Sequence, residues 1–159
     1  PQSFKAIKTG PSAWPLSVRL LLPSTIGDWN VMVVTPLYAS LLAILYLALT
    51  YGVIRNRYRF EVSLGDGGHA DLNRMIRGHG NFSEYVPMAL LLMAIAEIAN
   101  ADKTLIHTIG AMLLGGRVLH AYALAMTADN MPARRWGMIL TIFAIAIGAG
   151  ACLTIGLGV

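Results

Sequence analysis

Arg77, Asn81, Glu84 and Tyr85 stand at the mouth of a hydrophobic stretch, RGHGNFSEYVPMALLLMAIAE, at residues 77–97. Their spacing of i, i+4, i+7 and i+8 puts a cation, an amide, a carboxylate and a phenol on one face of a helix. Such groups are costly to bring into a bilayer, so their presence there points to a functional site. Arg117 and His120 share a face of a later apolar stretch, and Arg134 with Arg135 introduces the last one. Arginines near membrane ends suit topology and an anionic ligand rather than nucleic acid.

The elements that must position these groups follow from composition. The 159 residues are 56% hydrophobic and 13% charged, values that a soluble domain rarely reaches. Residues 31–54 and 136–159 hold no charge at all, and each is long enough to cross a ~30 Å hydrocarbon core. The chain reads as an all-α integral membrane protein with four transmembrane helices, at about 31–54, 71–99, 104–126 and 136–159. Arg55, Arg57 and Arg59 follow the first helix as a basic stretch, then comes the Gly65-Asp66-Gly67-Gly68 turn. Asp71 is expected to cap the second helix. Asn100 to Lys103 and Thr127 to Pro132 read as turns.

Counting cations places both arginine-rich loops in the cytoplasm and both termini outward. With that topology Arg77, Asn81, Glu84, Arg117, His120, Arg134 and Arg135 fall at one depth, as one polar site between helices that opens to the cytoplasm. Residues 1–30 form a separate arm, with three cations, four prolines and no long apolar run. It reads as no signal peptide, Pro1 reads as the product of initiator removal, and residues 16–23 could lie in the membrane interface. The arm is expected to be held by the same subunit, a symmetry mate or another protein.

The run Arg77-Gly-His-Gly-Asn81-Phe-Ser-Glu84-Tyr85-Val-Pro87 resembles the R-x-x-x-N-x-x-E-Y-x-P signature of the MAPEG superfamily, the membrane-associated proteins in eicosanoid and glutathione metabolism. The chain is most similar to its small bacterial branch, through Gly65 to Gly68, through Gly116, Arg117 and His120, and through Arg134 to Met138. The resemblance covers roughly residues 31–159. It implies a homotrimer in a bacterial inner membrane, with glutathione as co-substrate in clefts between subunits. Glutathione conjugation or peroxide reduction on small hydrophobic molecules is the chemistry implied. Arg77 and Arg55 would hold the peptide carboxylates. Glu84 suits its ammonium, Asn81 can donate and accept, and Tyr85 can line the wall. His79 stands where relatives often place glutamine. Arg134 or Arg135 would draw the thiol toward its thiolate, and only one of these neighbours can face the cleft. Eicosanoid-type members carry tyrosines where this chain has His120 and Leu124.

Structural readings stand beside these. Arg117 and Glu84 can neutralise each other between helices. His120 is either a ligand contact or a packing hydrogen bond. His69 and His107 read as solvated, and Glu97 as snorkelling to the outer interface. Gly110, Gly115, Gly116, Gly148 and Gly150 read as sites of close helix approach, and Cys152 as a small packing residue. No metal site is expected. The rival to an enzyme is a non-catalytic accessory subunit that joins other membrane subunits through residues 1–30.

Overall fold

The computed structural model describes residues 32–125 and 130–159. The arm at residues 1–30 and most of the turn after the third helix lie outside the described residues. Among the described residues there are four α-helices and no strand: α1 Val34–Phe60, α2 Ala70–Ile98, α3 Lys103–Ala125 and α4 Met131–Leu157. The described residues thus form an all-α, four-helix membrane bundle. By length and apolar content α1, α2 and α4 can each cross a membrane. α3 hides two of its polar residues inside the bundle. Arg117 is 1% exposed and His120 3%, so their cost is met by protein neighbours rather than lipid.

α1 runs past the expected end at residue 54 and carries Arg55, Arg57 and Arg59 on its last turns. Arginine is a good helix former, and no glycine lies between residue 54 and Gly65. The helix stops at Glu61, whose φ of 56° is left-handed. Gly65, Gly67 and Gly68 then all take positive φ, the backbone that makes the Gly-Asp-Gly-Gly turn a glycine position. Asp66 organises this turn. Its carboxylate accepts from the Gly68 N–H at 3.0 Å and from the Asn73 side chain.

Asp71 does not cap α2 as expected. The N-cap is His69, and Asp71 sits in the first turn, paired with Arg74. Asp102 caps α3 by accepting from the Thr104 and Leu105 amides, at 2.8 and 3.2 Å. Asn130 does the same for α4 through the Ala133 amide at 3.1 Å, with Pro132 in the first turn.

Glu97 corrects another expectation. It is not a carboxylate reaching only for water. Its oxygens accept from the backbone amides of Val33, Val34 and Thr35 at 2.8, 2.7 and 2.7 Å. The far end of α2 therefore supplies the cap that the apolar start of α1 lacks.

α2 and α3 each pack against all three other helices, while α1 and α4 lie on opposite sides of that pair. Leu42, Met93, Ile106, Ile109, Leu113 and Ala144 form the centre of the core. The tightest crossing is between α3 and α4. A Cβ on Gly116 would lie 2.8 Å from the Gly137 carbonyl oxygen, and one on Gly137 would lie 2.7 Å from that of Gly116. Gly110 accommodates the Tyr38 ring and Gly148 the Leu92 side chain. Gly115 and Gly150 face open space, so they mediate no close approach among the described residues. Cys152 packs inside the bundle with its thiol on the Leu92 carbonyl, at 3.3 Å.

Candidate functional site

The close passage of Gly116 over Gly137 brings α3 against α4 one turn from His120 and one turn from Arg134. The His120 Nδ1 lies 3.4 Å from the Arg134 carbonyl oxygen. α2 closes the third side. A cavity of 160 Å³ results, lined by Arg77, Asn81 and Glu84 from α2, His120 from α3 and Arg134 from α4, with Ile76, Gly80 and Leu124. Five residues singled out by type and spacing thus meet on one wall.

Behind the wall stands Arg117. Its Nη2 donates to the Asn81 Oδ1 at 2.9 Å, and its guanidinium lies 5.4 Å from the Phe82 ring centroid. Asn81, and not Glu84, is the partner of this buried arginine. Among the described residues the only ion pair is Arg74 with Asp71, so the expected Arg117–Glu84 neutralisation does not form. The reason is reach along the helix. Asn81 and Glu84 share a face but stand about one turn apart, and α3 presents Arg117 at the level of Asn81. The Nε and Nη1 of Arg117 are buried with no acceptor among the described residues, which is a costly state for a cation's donors.

Glu84 occupies a comparable position. It lies fourteen residues beyond the start of α2, roughly 21 Å along the axis, and its side chain is exposed on the single chain. It lines the cavity beside Arg77 and Asn81.

The remaining candidates fall elsewhere. Tyr85 is half-buried and off the cavity wall. Arg135 is exposed and also off the wall, so the structure separates it from Arg134. Arg55 lies in a different cavity, on the α1 side of the bundle, together with Tyr122. His79 turns toward α1, where its Nε2 meets the Thr50 hydroxyl at 3.1 Å and its ring stacks on Tyr46. His69 and His107 are exposed but not merely solvated. His69 stacks on Phe60 at 4.2 Å, and the His107 Nδ1 meets the Tyr38 hydroxyl at 3.2 Å.

Sequence reasoning missed Gly80 and Gly137. Gly80 lines the cavity with nothing in front of its missing side chain, and Gly137 sets the α3–α4 distance. The signal for Gly137 was its place one turn after Arg134, between Trp136 and Met138. For Gly80 it was the alternation of small and polar residues at 78–81.

The set can do specific chemistry. Two guanidinium groups, from Arg77 and Arg134, suit carboxylates, and Glu84 suits a cation. The arrangement gathers two cations and one carboxylate at the edge of an apolar bundle.

Comparison with known proteins agrees with the resemblance. The chain is 42% identical over 89 residues to the inner membrane protein YecN of Escherichia coli strain K12, an alignment that covers 56% of this chain and 68% of the relative. The protein of the same name from E. coli O6:H1 strain CFT073 matches equally well. The MAPEG family profile matches residues 35–154. That match spans all four helices and the whole polar wall, and the chain belongs to the MAPEG family.

Proposed function

We propose that this protein is a bacterial inner-membrane, homotrimeric enzyme that binds glutathione and transfers it to small hydrophobic electrophiles or uses it to reduce lipid hydroperoxides. The observation that carries this reading is the convergence of Arg77, Asn81, Glu84, His120 and Arg134 on one cavity. Arg77 engages a peptide carboxylate, Glu84 the γ-glutamyl ammonium, and Arg134 stands near the thiol. A cation beside the sulfur favours the thiolate. The thiolate then donates its electron pair to an electrophilic carbon, a sulfur–carbon bond forms, and the leaving group departs with its own pair. The apolar co-substrate arrives through lipid and the peptide from the cytoplasm, so a site at that boundary brings them together.

Two features support a shared site between subunits. The cavity of 160 Å³ is smaller than the roughly 300 Å³ at which small-molecule pockets begin, so a neighbouring copy would complete it. The same neighbour would cover the exposed Glu84 and supply surroundings for Arg117.

The test is glutathione binding by calorimetry to the detergent-purified protein, wild type against Arg77→Ala. A hydrogen-bonded charged pair contributes about 1.5–3 kcal/mol, so the variant should bind at least ~10-fold more weakly while eluting as the same oligomer. Retained affinity overturns the role of Arg77. No binding to a well-folded wild type overturns the enzyme reading and leaves the accessory-subunit reading in its place.

A further inference from the structure

A second and larger cavity, of 730 Å³, lies between α1, α2 and α3, across the α2–α3 pair from the polar wall. It has two different ends. Arg55, Arg59 and Arg74 stand at its mouth, and Leu45, Leu49 and Val118 line its body.

The charge at the mouth is only partly compensated. Asp71 is the one carboxylate there, and it is paired with Arg74. Arg55 has no hydrogen bond or ion pair among the described residues, and Arg59 rests over the Phe60 ring at 5.3 Å. Two cations therefore face the cavity without an anion. Leu45 precedes Arg55 by ten residues of α1, roughly 15 Å along the axis, which is half of a ~30 Å hydrocarbon core. The cavity runs from the headgroup level to about the middle of the bilayer.

It also opens sideways. Tyr51 is 66% exposed, and Val118 and Tyr122 are each 50% exposed along the same lining. Tyrosines at this level are typical of the membrane interface. A soluble anion would use the arginines and leave the apolar wall bare. A neutral hydrocarbon would fill the wall and leave the cations unpaired. Only an anionic amphiphile satisfies both, and a bilayer supplies one through an open side.

We infer that this cavity is a binding site for an anionic membrane phospholipid. The phosphate of the headgroup pairs with Arg55 and Arg59, and one acyl chain lies along Leu45, Leu49 and Val118. This cavity has only Leu124 in common with the polar wall, and none of Arg77, Asn81, Glu84, His120 and Arg134 lines it.

Native mass spectrometry of the full-length protein in detergent tests it, with phosphatidylglycerol and phosphatidylcholine of matched acyl chains as probes. Each basic side chain near an anionic lipid contributes about a factor of five. Wild type should therefore prefer phosphatidylglycerol by about 30-fold, and Arg55→Gln with Arg59→Gln should remove that preference. Val118→Trp keeps the arginines but fills the apolar body, and it should also lower phosphatidylglycerol occupancy. Excess glycerol 3-phosphate should not displace the lipid. Equal affinity of wild type for the two lipids overturns the inference, whichever variants fold. So does displacement by glycerol 3-phosphate, which would mark a free-anion site. Absence of bound lipid because a second copy covers this face overturns it as well.

Discussion

Replacing Gly137 by alanine should loosen the candidate site without touching any of its functional groups. The added Cβ would lie 2.7 Å from the Gly116 carbonyl oxygen and 2.8 Å from the His120 backbone nitrogen. Both obstacles are backbone, so neither can rotate away. Ordinary contact begins at 3.4 Å, and α3 and α4 must part by roughly 0.7 Å at this level. Overpacking of this kind costs about 1–3 kcal/mol, and alanine returns up to ~1 kcal/mol in helix propensity. A net loss of about 1 kcal/mol corresponds to a fall in Tm of ~2–4 °C for a chain of this size. Because His120 and Arg134 sit on the two helices that separate, glutathione affinity should fall with stability. The assay is thermal unfolding in detergent alongside calorimetric binding. Gly150→Ala is the control, since nothing lies within 4 Å of its missing Cβ, and it should melt at or above wild type. Gly116→Ala should match Gly137→Ala, and the double variant should cost less than the two together, because the helices part only once. A Gly137→Ala protein that melts with wild type would refute the close crossing.

Three further outcomes are expected. Glu97→Ala removes the acceptor of three amides at the start of α1; it should destabilise by about 2 kcal/mol, the upper part of the N-cap range, with faster hydrogen exchange at residues 33–35. In the α1–α2 loop, the Gly68 amide and the Asn73 side chain hold the Asp66 carboxyl below its ordinary value of 3.8. Its contribution to loop order is complete above that value and is lost as pH falls through the lower folded one, which exchange protection of the Gly68 amide should follow. Arg134→Ala should reduce the ultraviolet thiolate absorbance of bound glutathione and slow its conjugation by about tenfold for each unit of thiol pKa regained, whereas Arg135→Ala, off the cavity wall, should leave both unchanged.

The sequence by itself determined the class of protein, the four helices among the described residues and the polar face of α2. These are local properties. Uncharged length makes a span, and the helical period puts Arg77, Asn81 and Glu84 on one side whatever they pack against. The Gly-Asp-Gly-Gly turn is equally local, because positive φ there needs glycine. What the period leaves open is how far each helix is rotated and shifted against the next. Only the tertiary structure settled that, through contacts between residues distant in the chain. It chose Arg134 over Arg135 for the cavity wall, gave Arg117 to Asn81 instead of Glu84, and turned Glu97 into a cap for α1. It also sent Arg55 to a different cavity from Arg77. The small surfaces of Gly116 and Gly137 fix one such rotation, since backbones approach this closely only where neither residue has a side chain.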